Sequence, residues 1–127
     1  MLDWMTRHAR RIGWTCVYSW RGWAAAWASE ATLRQWTLAN ALSAAAALAL
    51  PLGAAERGLI IALGLLVLAA ELMNTAVETV VNHLSPEVHP LAAKAKDCAS
   101  AAVALTALAA GAAWCVVLWG LWAGRAG

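Results

Sequence analysis

Residues 58–81, GLIIALGLLVLAAELMNTAVETVV, set the strictest limit on how this chain can fold. The stretch is long and apolar enough to cross a bilayer as a helix, which takes about 20 residues. Its second half nevertheless carries Glu71, Asn74 and Glu78. The spacing i, i+3, i+7 puts all three on one helical face, while the other faces hold Leu, Ala, Val and Met. An acidic side chain at the centre of a membrane helix costs on the order of 2.5–3.5 kcal/mol even on the mildest scales. A polar seam that only glues helices together accounts for one Asn. Two glutamates on the same stripe call instead for a protein-lined or water-filled site, one suited to a cation.

The rest of the chain supports a membrane setting. It has 127 residues, of which 63% are hydrophobic and 13% charged. A soluble domain carries about 25% charged residues. Three segments qualify as spans: 37–55, 58–81, and an alanine-rich third that starts near Leu91 and runs to 123. Three short helices enclose little polar space, so the expected assembly is an oligomer with sites between protomers. A net charge of +2 gives no footing for nucleic acid. Cys16, Cys98 and Cys115 form no CxxC or metal spacing and read as free thiols. His8, His83 and His89 fall into no metal-ligand pattern either.

Residues 4–34 read as an amphipathic helix lying on the membrane surface, with a possible break at Gly13 or Gly22. Cys16, Trp20, Trp23 and Trp27 make one apolar stripe, with Arg7, Arg11, Tyr18 and Arg21 largely elsewhere. A basic helix with tryptophans on its apolar face sits among the headgroups. Arg7, Arg10, Arg11, Arg21 and Arg34 precede the first span, Arg57 alone separates the first two, and Lys94 and Lys96 separate the second and third. The positive-inside rule then predicts a cytoplasmic N-terminus, a cytoplasmic 82–97 loop and an external C-terminus. In that loop, Ser85-Pro86-Glu87 reads as a helix start with Ser85 as the cap. The short segment 54–58 reads as the turn of an antiparallel hairpin. Gly120 and Gly124 make a GxxxG spacing, which permits close helix packing.

Glu30, Glu71, Asn74, Glu78, Lys94, Lys96, Asp97 and Ser100 thus collect at one membrane surface. Carboxylates with lysines at a shielded site suit a magnesium nucleotide, because Mg²⁺ takes oxygen ligands and usually arrives with phosphates. The chain has neither GxxxxGK[ST] nor GxGxxG, so P-loop and protein-kinase folds do not fit. Seven helical residues span roughly 10.5 Å, too far for Glu71 and Glu78 to share one Mg²⁺ easily. A hydroxyl between its base and a phosphorus fills most of that gap. Glu78 therefore suits the metal, and Glu71 the hydroxyl of a lipid.

AELMNTAVETVVNHLSPEVHPLAAKAKDCASAAV, residues 70–103, resembles the signature of the prokaryotic diacylglycerol kinase family. That signature has the form E-x-x-N-(S/T)-A-(I/V)-E, followed at the same separation by A-K-D-x-x-(S/A)-A-A-V. YSWRGWAAAWASEATLRQ, residues 18–35, is similar to the family's N-terminal segment. The resemblance covers nearly the whole chain. It implies an all-α membrane protein with a surface helix and three transmembrane helices, assembled as a homotrimeric bundle in the bacterial inner membrane. It implies transfer of the γ-phosphate of ATP, with Mg²⁺, to diacylglycerol, giving phosphatidic acid. Carried over by motif, Glu71 is the catalytic base with Asn74 beside it, and Glu30 and Glu78 hold the metal on the nucleotide. Lys96 and Asp97 serve the nucleotide phosphates. Arg11, Tyr18 and Ser19 lie near the nucleotide or lipid, and Ser100 lies near the lipid. Departures fall at Trp36, where an acidic residue is frequent, at Asn82, where aspartate is common, and at Lys94, where arginine is common.

Two other activities carry different tests, and a structural membrane subunit with no activity is disfavoured by the clustered ionisable residues. An undecaprenol kinase of the same family phosphorylates a long isoprenoid alcohol, and an assay with both alcohols separates the two. A small multidrug transporter also has short helices and a membrane glutamate, but such proteins have four spans and lack an A-K-D segment.

Overall fold

The computed structural model describes residues 2–85, 87 and 89–125. Among these, every regular element is a helix. They run in the order α1 (Leu2–Ser29), α2 (Ala31–Ala49), α3 (Ala54–Leu84) and α4 (Pro90–Arg125). α3 is the central helix. It packs along α2 and along α4, and α1 touches α2 and α3 over a small area.

The first two helices meet at Glu30, which is extended at φ −102° and ψ 112°. Gly13 and Gly22 lie inside an unbroken α1, and the first helix stops at Ser29 rather than at 34. The cause lies in hydrogen bonding. The last carbonyls of a helix have no partner within it, and the Arg34 guanidinium donates to the Trp27 carbonyl at 2.6 Å. Arg34 thereby closes α1 from one turn into α2.

The hairpin turn also lies earlier than the sequence predicts. Leu50 precedes Pro51 and takes the extended ψ of 153° that a following proline favours. Glu56 Oε2 then accepts the Gly53 amide at 2.7 Å, which opens α3 at Ala54. Residues 54–57 are therefore helical, and residues 50–53 turn. At the other end, Ser85 closes α3, its amide donating to the Val81 carbonyl at 2.9 Å. Its hydroxyl donates to the Glu87 carbonyl at 3.1 Å, so Ser85 does not open a helix as the sequence predicts. Pro86, the first residue of that expected helix, lies outside the described residues. The cap of α4 is His89, whose Nδ1 accepts the Leu91 amide at 3.2 Å, with Pro90 in the first helical position.

α2 and α3 come close at Gly64. A Cβ added to Gly64 would lie 2.5 Å from Asn40 Oδ1, so the missing side chain is what lets the helices approach. Trp114 Nε1 donates to Ser43 Oγ at 2.8 Å and joins α4 to α2. Near the hairpin, Ala47, Leu52, Ile60 and Val117 form a small core with Trp114 and Leu121 against it. Gly120 and Gly124 have open space around them, so they bring no helix close within the chain.

α3 and α4 are each long and apolar enough to cross a membrane. Only 22% and 11% of their most apolar windows are buried within the chain, whereas a core helix of a soluble protein would be mostly covered. Leu65, Leu66, Met73, Leu105, Leu108 and Val116 all lie exposed along them. α2 has 19 residues but includes Arg34, Gln35 and Asn40, and it does not reach the same apolarity.

Candidate active site

The polar stripe of α3 forms as its spacing requires. Glu71 is 4% exposed, and it is the only buried charged or polar side chain among the described residues. Asn74 and Glu78 are half-buried one and two turns further on. Asn74 Nδ2 donates to Glu78 Oε1 at 3.2 Å, an i, i+4 pair. Among the described residues, Asn74 Oδ1 is buried without a partner. An orphaned amide oxygen is costly to keep, and its lone pairs can accept from a donor or a cation.

The C-terminal end of α3 meets the N-terminal end of α4 at a cleft of about 220 Å³. Asn82, Ser85, Glu87, His89 and Lys96 line it. Lys96 Nζ donates to Asn82 Oδ1 at 3.2 Å. Lys96 is half-buried, whereas Lys94, Asp97 and Ser100 are exposed.

A larger groove of about 580 Å³ runs between α1 and α3. Ser19, Trp23 and Ser29 line it from α1, and Leu72, Thr75 and Thr79 from α3. At its α1 end, Ser29 Oγ donates to Glu30 Oε1 at 2.8 Å, holding a half-buried carboxylate at the helix junction. Arg11 and Tyr18 are exposed on α1, and the Tyr18 ring stacks on Trp14 at 6.0 Å.

The chain thus joins Asn74 to Glu78 and Lys96 to Asn82, and it sets Ser19 in the groove beside α3. Among the described residues, no group of three or more His, Cys, Asp or Glu side chains gathers as a metal site. Ser29 and the His89 cap escape the sequence reading, which names Asn82 only as a departure from the motif. Asn82 lies eleven residues after Glu71 and so continues the same helical face, a signal present in the spacing. Ser29 and the His89 cap carry no signal of their own, because each depends on where a helix ends.

The chain matches known proteins over most of its length. The prokaryotic diacylglycerol kinase family model matches residues 17–118. The Escherichia coli K12 diacylglycerol kinase is 41% identical over 102 residues, covering 80% of this chain and 84% of its own length. The Pseudomonas aeruginosa PAO1 diacylglycerol kinase is 43% identical over 105 residues, covering 81% and 84%. The Helicobacter pylori J99 diacylglycerol kinase is 37% identical over 93 residues, covering 73% of each chain. Two helices long and apolar enough to cross a bilayer fit a membrane protein, and the family and these relatives make it a lipid kinase. The chain belongs to the prokaryotic diacylglycerol kinase family.

Proposed function

We propose that the protein transfers the γ-phosphate of MgATP to the hydroxyl of diacylglycerol, releasing ADP and phosphatidic acid. The burial of Glu71 on a helix with an apolar outer surface carries this reading. A carboxylate there is costly, and an ionisable side chain kept at such cost marks a functional site. In the step, the lipid oxygen forms a bond to the γ-phosphorus as the bond to the bridging β–γ oxygen breaks. Glu71 takes the hydroxyl proton. The name diacylglycerol kinase, shared by the cited relatives, favours diacylglycerol over undecaprenol as acceptor.

The residues present fit a magnesium nucleotide. Mg²⁺ commonly takes one or two carboxylates and completes its shell with phosphates and water. Glu78 and the orphaned Asn74 Oδ1 supply oxygen on α3, and Glu30, steadied by Ser29, supplies it from the α1–α2 junction. When bound, the ion neutralises phosphate charge. Lys96 and Asp97 serve the nucleotide from α4, with Arg11, Tyr18 and Ser19 on α1 near the nucleotide or lipid. Ser100 lies towards the lipid.

The proposal extends to assembly. α2, α3 and α4 cross the bacterial inner membrane, α1 lies on its cytoplasmic surface, and the 127 residues form one domain. Three copies cover the exposed apolar faces and complete each site between protomers. Incubating purified protein with [γ-³²P]ATP and either diacylglycerol or undecaprenol tests the acceptor. Label in phosphatidic acid is expected. Label confined to the isoprenoid product, or proton-coupled export without ATP, would replace this reading.

A further inference from the structure

Lys96 crosses between two helices to reach its partner. Its Nζ on α4 donates to Asn82 Oδ1 on α3 at 3.2 Å, across fourteen residues of sequence. Lys94, two residues earlier, lies about 200° away around the same helix and is exposed. Asn82 and Lys96 both line the cleft where α3 and α4 meet. Asn82 also continues the face of Glu71, Asn74 and Glu78, so the cleft lies at the end of the polar stripe.

We infer that Asn82 is a positioning residue that holds the Lys96 ammonium towards the nucleotide phosphates. The inference rests on the proposed kinase reading, in which Lys96 meets those phosphates. An ammonium has three N–H donors and no acceptor. One donor goes to Asn82, and two remain for phosphate oxygens. Because the partner is a neutral amide, the full positive charge of Lys96 stays available to the triphosphate. A free lysine loses about 2 kcal/mol of side-chain rotamer freedom when it is fixed. Fixing it before the nucleotide arrives removes part of that cost from binding. The effect belongs to nucleotide affinity, since the contact is made before the chemical step.

The test uses the full-length protein in lipid–detergent micelles, with equilibrium binding of MgATP and initial rates of phosphate transfer. Asn82→Ala should weaken MgATP binding and raise its KM about fivefold, the worth of one ordinary hydrogen bond, with kcat little changed. Asn82→Gln keeps a neutral amide acceptor for Lys96 and should recover part of the affinity. In a Lys96→Ala background, Asn82→Ala should add nothing, because its only route to the nucleotide is gone. If Asn82→Ala does not fold, Asn82→Ser is too short to reach Nζ and should show the same weakening. Parent-like affinity in the folded variant would overturn the inference. So would a loss of equal size in the Lys96→Ala background, which marks a plain structural clip. A parent that binds MgATP but labels no lipid would sink the kinase reading alone, leaving the Asn82 effect to be read from binding.

Discussion

Glu71, Asn74 and Glu78 share a face but differ in depth, and that difference supports the proposed roles. Glu71 is drawn into the bundle, whereas Glu78 is half-buried and already accepts a bond from Asn74. A carboxylate nearer water can meet a hydrated cation at lower desolvation cost than a deep one. Glu78→Gln should therefore raise the Mg²⁺ concentration needed for half-maximal rate, with much of the rate recovered at saturating Mg²⁺. Titrating Mg²⁺ at fixed ATP checks this, and an unchanged Mg²⁺ dependence would remove Glu78 from the metal. This stripe was legible in the sequence because helical spacing alone puts the three residues together. The Asn74–Glu78 bond follows from i, i+4. Glu30 was harder. Its motif match named it, but its place at a helix break depends on Arg34 reaching the Trp27 carbonyl seven residues back. No periodicity encodes that contact.

At the level of elements, α2 and α3 approach closely because Gly64 lacks a side chain. Asn40 fills the space, its Nδ2 donating to the Trp36 carbonyl at 2.8 Å. Gly64→Ala forces Asn40 aside and should lower stability by about 1 kcal/mol, the worth of the strained hydrogen bond. Asn40→Ala should remove most of that penalty in the double variant, since the two residues are in contact. Unfolding by SDS titration in mixed micelles measures both. Independent penalties would show that Gly64 faces something other than Asn40. The helices themselves were legible from apolar length, while their ends were not. The Glu56 and His89 side chains open α3 and α4, and the Ser85 backbone amide makes the last bond of α3. Composition places the apolar stretches but cannot place a cap that depends on its neighbours' backbone.

For the whole molecule, a single chain leaves long apolar faces of α3 and α4 uncovered and gathers only part of the proposed site. Glu30 is at the α1–α2 junction, where Ser29 donates to it, and Glu78 is bonded to Asn74 within α3. If sites are completed between copies, mixing inactive Glu30→Gln and Glu71→Gln protomers should restore part of the activity. Absence of rescue after demonstrated subunit exchange would place each site within one chain. A reporter in the 82–97 segment should be cytoplasmic and one after Gly127 periplasmic, as the distribution of Arg and Lys requires. The opposite pattern would separate the stripe from ATP. All of this depends on Glu71 acting as the base in phosphate transfer to a lipid. The direct measurement is the rate of label transfer from [γ-³²P]ATP to diacylglycerol by parent and Glu71→Gln proteins, at saturating Mg²⁺ and ATP. The variant should bind MgATP normally and turn over roughly 10²–10⁴-fold more slowly, the usual range for a lost general base. Parental turnover by Glu71→Gln would contradict the assignment.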